Sequence, residues 1–306
     1  MPIPSYRDLH HRGILQERID KALLRLRNCD LCPRECGVDR TRSELGFCRT
    51  GRYAKVASNS PHFGEEAPLV GRFGSGTIFF SSCNLLCSFC QNYDISHLRQ
   101  GVKVSPQQIA SMMLALAEQG CHNINFVTPS HVVPQILEAL PIAIEHGLNI
   151  PLVYNTGSYD KVDTLKLLDG IFDIYMPDFK FWDAKWAQRF CQAPDYSRVA
   201  RKAIIEMHSQ VEDLELDDRG IAKKGLLVRH LVMPNNITNT PEIMHFLAKR
   251  ISENTYVNIM DQYRPCFKAR DDELINRGIS PNEYIQAVRD AIAAGIHRLD
   301  KKAGLF

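Results

Sequence analysis

From Gly76 onward, short apolar runs alternate with longer amphipathic stretches. TIFFSSC (77–83), NINFVT (123–128), IPLVYN (150–155), FDIYMP (172–177), LLVRHLV (226–232) and TYVNIM (255–260) have the length and β-branched content of buried strands. Between them lie helical patterns with clear punctuation. Ser105-Pro106 opens one that runs to about Gln119, with serine suited to the N-cap and proline to the first helical position. Further helices are predicted over about 131–146, ending at Gly147, and over about 160–169, ending at Gly170. Helical patterns continue to about residue 208; Thr240-Pro241 starts a helix to about 252, and Ser280-Pro281 starts the last, to about Ala294.

This rhythm predicts six β–α units, each long enough for a right-handed parallel crossover. The fold class is α/β; six units fit an open doubly wound sheet or a barrel-like sheet, and a partial (β/α)6 TIM-like barrel is the expectation. Ligands belong at the carboxyl ends of such strands. Cys83, Asn155 and Asp178 all fall at or just after a strand's end.

Upstream the texture differs. Residues 8–28 carry Ile14, Ile19, Leu23, Leu24 and Leu26 at helical spacing, and the stretch from there to about residue 75 reads as loop, rich in Gly, Pro and Arg. Residues 1–70 are therefore expected to form a small cysteine-rich appendage, and residues 71–306 the core.

Charge narrows the function classes. The chain has 306 residues, 37 basic and 35 acidic, for a formal charge of +2. That balance gives no argument for nucleic acid or membrane as partner. The first residues are polar, without the apolar core of a signal peptide, and no run approaches the roughly 20 apolar residues of a membrane span. A cytoplasmic location is the expectation. In a reducing compartment clustered thiols read as metal ligands or redox groups. Seven of the ten cysteines are clustered: Cys29, Cys32, Cys36 and Cys48, then Cys83, Cys87 and Cys90. Cys121, Cys191 and Cys266 stand alone and are expected to be small buried hydrophobes.

The second group is C-x3-C-x2-C. Three thiolates on one tight loop can hold three irons of a [4Fe–4S] cube and leave the fourth open to an exogenous chelate. A zinc loop is the competing reading, with His97 as a nearby fourth ligand. The first group, C-x2-C-P-x2-C-x11-C, supplies four ligands for tetrahedral zinc or a second iron–sulfur cluster. Arg34, Arg40, Arg42, Arg49 and Arg52 around it would offset the negative charge of either. Asp261, Gln262, Tyr263 and Arg264 follow the sixth strand and would sit on the functional rim, whereas His131 reads as a helix-start residue.

Cys83-Asn-Leu-Leu-Cys87-Ser-Phe89-Cys90 at the end of the first strand, followed by five more β–α units, resembles the radical S-adenosylmethionine (SAM) superfamily. Within it the chain looks most like the pyruvate formate-lyase activating enzyme group, in a branch with an N-terminal four-cysteine motif. The likeness covers about residues 29–265. Met176-Pro-Asp178-Phe-Lys180 resembles that group's Met-x-Asp-x-Lys. Asn155-Thr156-Gly157-Ser158 stands where the group has Asp-Thr-Asn-Gly. Arg229-His-Leu231-Val matches its Arg-x-Val strand.

The resemblance implies a [4Fe–4S] cluster on Cys83, Cys87 and Cys90, with Phe89 at the aromatic position beside it, and SAM across the strand ends. It places Asn155 at the SAM ribose or a monovalent cation; Thr156, Met176 and Asp178 would complete the cation site. Arg229 and Leu231 would flank the SAM carboxylate and adenine. The group's Gly-Gly-Glu, which holds the SAM amino group, is replaced by Val127-Thr128-Pro129-Ser130-His131, so Thr128 and Ser130 are the oxygen acceptors available there.

The implied activity is reductive cleavage of SAM to a 5′-deoxyadenosyl radical for hydrogen abstraction, with a flavodoxin or ferredoxin as electron donor and a glycyl radical enzyme as a candidate partner. The chain itself carries no C-terminal glycyl-radical motif. An electron-transfer protein with two clusters and no SAM chemistry is the alternative. A zinc enzyme of the deaminase kind is the weakest reading, because no H-x-E glutamate occurs.

Overall fold

A computed structural model describes residues 4–300. Ten strands build one sheet: β1 (Ala54–His62), β2 (Ser75–Phe80), β3 (Val102–Val104), β4 (Ile124–Val127), β5 (Leu152–Thr156), β6 (Ile174–Pro177), β7 (Glu215–Leu216), β8 (Ala222–Leu231), β9 (Tyr256–Met260) and β10 (Arg298–Leu299). Their order is β10-β9-β8-β6-β5-β4-β2-β1-β3, with β7 pairing β8 off the path. From β2 through β9 every main-path pairing is parallel, so the six predicted strands are the six that form the barrel wall. β1 and β3 add an antiparallel edge. The sheet curls without closing, and the fold is a partial TIM-like barrel.

Alternation sorts the side chains. On β8 and β9, Leu227, Arg229 and Leu231 share registers with Tyr256, Asn258 and Met260 and point to the inner side. Val153, Ile174, Met176, Leu227 and Tyr256 pack with Leu69 in an apolar cluster that fills one end of the interior. The opposite faces, including Ile78, Phe80, Phe126, Tyr154 and Tyr175, meet the surrounding helices in the main core. Helix Pro106–Glu118 has the expected Ser105 cap and completes it as a capping box, Ser105 accepting from Gln108 N while Gln108 reaches back to Ser105 N. Helix Pro281–Ala294 is capped the same way by Ser280 and Glu283.

Several expectations need correction. The N-terminal helix is two helices, Ser5–His11 and Ile14–Leu24, broken where Gly13 adopts φ 76°. The supposed loop up to residue 75 contains β1, a nine-residue strand. It was missed because its sequence, AKVASNSPH, is polar at its exposed positions Lys55, Ser58, Asn59 and Ser60. The first barrel strand stops at Phe80, so Cys83 sits in the loop beyond it. The helix expected over 160–169 is a single turn, Val162–Leu165, tightening into Lys166–Leu168. The helix from Thr240 is regular to Phe246 and widens over Leu247–Ile251. After β6 the helical stretch splits into Ala184–Cys191 and Tyr196–Val211.

Candidate functional site

After the last wall residues the chain turns sharply at several strand ends. Ser82, Leu86, Thr128 and Ser158 are non-glycine residues with φ of 77°, 52°, 62° and 63°. Left-handed backbone at such residues is costly, most of all for β-branched Thr128, and it concentrates at functional turns. These turns surround a cavity of about 460 Å³ at the carboxyl ends of the strands, a size suited to a small-molecule ligand.

Cys83, Cys87 and Cys90 all line that cavity. Their loop is held from several sides. Leu85 N approaches Cys83 Sγ at 3.3 Å, and Ser96 Oγ donates to Cys90 Sγ at 3.2 Å. Ser88 N donates to the Phe190 carbonyl at 2.8 Å. Phe89, also on the cavity wall, packs edge-on against Phe181 and Phe190 and at a tilt against Tyr263. His97, the candidate fourth zinc ligand, spends Nε2 on the Cys87 carbonyl at 3.0 Å.

Burial pushes the Cys83 thiol up to about 12 and raises Cys90. Cys87 is pushed well up too, first by its contact with Cys191 and then by burial. Such thiols stay protonated unless a cationic centre takes the proton's place. Three sulfurs on one cavity edge, with room beyond them, fit a cube with one open iron.

Charged side chains line the wall opposite. Asp178 Oδ1 accepts from Arg229 Nε at 2.7 Å and Oδ2 from Lys180 Nζ at 2.6 Å. Arg229 also donates to Asn155 Oδ1 at 2.7 Å and faces Glu65 at 3.5 Å. Against the opposing cost of burial, Asp178 is held below the usual carboxylate range by the Arg229 charge and then by Lys180. Both Asp178 oxygens already accept from fixed cations, and of the residues implied for a monovalent cation the cavity brings Asn155, Thr156 and Asp178 together but not Met176.

Of the residues named from sequence, Thr128, Asn155, Thr156, Asp178, Lys180, Arg229 and Leu231 line the cavity with the cysteines. Asp261 and Gln262 reach it as well, while Tyr263 is buried with its hydroxyl on the Ile275 carbonyl and Arg264 is exposed. Met176 and Ser130 are not on its wall. Met176 lies in the apolar cluster at the other end of the barrel. Ser130 meets Thr156 Oγ1 at 3.1 Å, which in turn donates to buried Asp160 at 2.5 Å; Tyr154 completes that network from the other Asp160 oxygen. His131 precedes its helix as expected but is fully buried, with Nε2 on the Ser81 carbonyl.

Sequence reading missed Glu65 and Glu66. They precede the short helix Ala67–Val70, whose Leu69 fills the far end of the barrel, and both side chains line the cavity. Glu66 Oε1 accepts from Asn258 at 2.8 Å; Oε2 is buried without a hydrogen-bond partner, and burial raises the carboxyl's pKa. Two adjacent glutamates before an apolar turn were the available signal, but only the path of β1 brings them beneath the strand ends.

The sequence profile of the Radical SAM superfamily matches residues 77–247. The uncharacterized protein MJ0674 of Methanocaldococcus jannaschii is 32% identical over 284 residues, which span 90% of this chain and 78% of that protein. The matched region runs from the first barrel strand past β8 and takes in the three-cysteine loop and the Asp178–Arg229 wall. The chain belongs to the radical SAM superfamily, whose enzymes act on SAM by radical chemistry at a [4Fe–4S] cluster.

Proposed function

We propose that Cys83, Cys87 and Cys90 hold the [4Fe–4S] cluster and that the cavity beside them binds SAM and a second substrate that loses a hydrogen atom. The observation that carries this reading is the placement of three thiols and a compensated Asp178–Arg229–Lys180 group on one cavity. When bound, the cluster supplies one electron to the SAM sulfonium, breaking a carbon–sulfur bond to give a 5′-deoxyadenosyl radical.

The chain's own residues bind and orient. Asn155, Thr156 and Thr128 offer oxygens to the ribose and the ammonium. Leu231 and Phe89 give apolar surface to the adenine and the loop. Lys180, on the Cys87 side of Asp178, favours the thiolate, since its charge lowers the Cys87 pKa. Arg229 is already engaged by Asp178 and Asn155, so it fixes the wall, and its remaining edge faces the cavity.

The Met176–Lys180 motif supports a glycyl radical enzyme as the hydrogen donor, with a flavodoxin or ferredoxin as reductant. Cys29, Cys32, Cys36 and Cys48 hold a further metal centre. A reducing cytoplasm suits ten free thiols. Among the described residues no helix is long and apolar enough to cross a membrane.

The test is anaerobic. The protein is reconstituted with iron and sulfide, reduced and given SAM, and 5′-deoxyadenosine is followed by chromatography beside a variant lacking Cys83, Cys87 and Cys90. Formation of product only with the three thiols supports the reading. A SAM-insensitive cluster EPR signal with no product favours the electron-carrier alternative.

A further inference from the structure

The four N-terminal cysteines face one enclosed void, together with Arg34, Arg40 and His131. Four thiols on one void are a full ligand set for a single metal ion or for an iron–sulfur cube, and what favours the cube is the way this wall is joined to the other cysteine loop.

The wall is charged to match. Arg40 is 1% exposed and has no carboxylate partner among the described residues. Its guanidinium donates to the carbonyls of Gly51 and His131 and faces Cys29 Sγ at 3.8 Å. A buried cation held only by carbonyls and a thiol calls for an anionic neighbour, which a thiolate-ligated cluster supplies.

Two short routes join this void to the radical SAM loop. Asn84, next in sequence to Cys83, is fixed by its side chain on the Tyr159 carbonyl at 2.7 Å, and its own carbonyl accepts from Arg34 Nε at 2.9 Å. Arg34 also donates to the Cys191 carbonyl at 3.0 Å, and Cys191 Sγ lies 3.3 Å from Cys87 Sγ. Each route begins at the four-cysteine segment and ends at a ligand of the other cluster, or at its neighbour in the chain.

We infer that Cys29, Cys32, Cys36 and Cys48 ligate a second iron–sulfur cluster that passes electrons to the cluster on Cys83, Cys87 and Cys90. The relay rests on the radical SAM reading of that second site; the cluster itself does not. One electron enters from a low-potential reductant of the ferredoxin class, reduces the N-terminal cluster, and leaves it oxidised again when the SAM-binding cluster is reduced. No bond forms or breaks in the transfer. The Asn84 and Arg34 contacts give it a path through hydrogen bonds and a few covalent links.

Iron, zinc and sulfide are counted per chain in the anaerobically reconstituted full-length protein, in Cys29→Ser/Cys36→Ser, and in Cys83→Ala/Cys87→Ala/Cys90→Ala. Two cubes give about eight irons in the native protein and about four in each variant. The three-alanine variant keeps an EPR signal that SAM does not alter. About one zinc per chain with about four irons overturns the second cluster, and so does an iron count that Cys29→Ser/Cys36→Ser leaves unchanged. The three-alanine variant and the native count decide the matter even if the serine variant does not fold.

For the relay, reduction by a ferredoxin is followed by freeze-quench EPR. The SAM-responsive signal is expected to appear at least tenfold more slowly in Cys29→Ser/Cys36→Ser. An unchanged rate overturns the relay while leaving both clusters in place. A native protein with about eight irons and no SAM-responsive signal contradicts the proposed function and leaves the second cluster standing.

Discussion

Arg229 Nε donates to Asp178 Oδ1 at 2.7 Å across neighbouring strands, and the other Asp178 oxygen takes Lys180 Nζ at 2.6 Å. One carboxylate therefore balances two cations, each mostly screened from water. Asp178→Asn leaves Lys180 without its carboxylate and Arg229 with only the longer Glu65 contact, on a wall that should receive the cationic sulfonium and ammonium of SAM. Breaking a buried pair of this kind costs roughly 3–5 kcal/mol of stability. SAM affinity is expected to fall at least tenfold, with iron content unchanged. Isothermal titration with SAM beside an iron assay checks this; equal affinity removes Asp178 from the SAM site.

The three cavity cysteines are expected to behave as one unit. Replacing any of them by alanine leaves two thiolates, too few to hold the cube stably, so loss of 5′-deoxyadenosine formation should be complete in each single variant. Visible absorption and iron counts report the cluster directly. A Cys90→Ala protein that keeps its full iron and its SAM-altered EPR signal would falsify the ligand set.

The alternation of apolar and polar runs was enough to locate all six parallel strands, because each is largely buried on both faces and carries an apolar run broken only at Asn125, Arg229-His230 and Asn258. The cysteine spacing marked one loop as the chemical centre. What escaped was whatever depends on chain path. β1 lies between β2 and the three-residue β3 and has a polar face, so its composition resembles a loop, and Glu65 and Glu66 enter the cavity only because β1 runs antiparallel to β2. Met176 shares the inward face with Asp178, two residues on, but lies one layer deeper and packs against Leu69 at the far end of the barrel. Cys191 gave no signal, since its neighbour Cys87 is 104 residues away in sequence.

Glu66 bears one carboxylate oxygen with no hydrogen-bond partner in a nearly dry position. Such a group costs stability unless a ligand completes it. Glu66→Gln keeps an acceptor for Asn258 and removes the charge. It is expected to stabilise the protein by about 1 kcal/mol in thermal or urea unfolding. SAM cleavage without the second substrate should persist, while hydrogen abstraction from that substrate should fall. A destabilised Glu66→Gln variant would mean that the ionised carboxylate supports the fold through the Arg229 charge.

His230 is fully buried; Nδ1 donates to the Phe179 carbonyl and Nε2 accepts from Thr240 Oγ1, both at 2.9 Å. Burial lowers its pKa to about 4. The unfolded chain takes up this proton near pH 6.5, the folded one only near 4. Stability from the neutral ring is therefore complete above pH 6.5 and is lost as pH falls toward 4, by about 3 kcal/mol at the acid end. Urea unfolding across that range, compared with His230→Gln, should show a flatter profile for the variant. Parallel profiles would place the acid sensitivity in other groups.

Cys191 ends the helix Ala184–Cys191 with its sulfur 3.3 Å from that of Cys87. While iron occupies the cavity loop, the Cys87 thiolate is committed to the metal. In the iron-free protein nothing separates the two sulfurs, and dioxygen can take two electrons and two protons from the pair, giving a disulfide and hydrogen peroxide. The disulfide removes one of three cluster ligands, so air-exposed apoprotein should lose its capacity to take up iron at that loop until a thiol reductant restores it. Cys191→Ala is expected to keep most of that capacity through the same exposure, because Cys87 then lacks its near partner. Peptide mapping of the oxidised native protein should find the Cys87–Cys191 crosslink. If the native and Cys191→Ala proteins lose iron uptake at the same rate, with no such crosslink, oxidation enters elsewhere among the ten thiols.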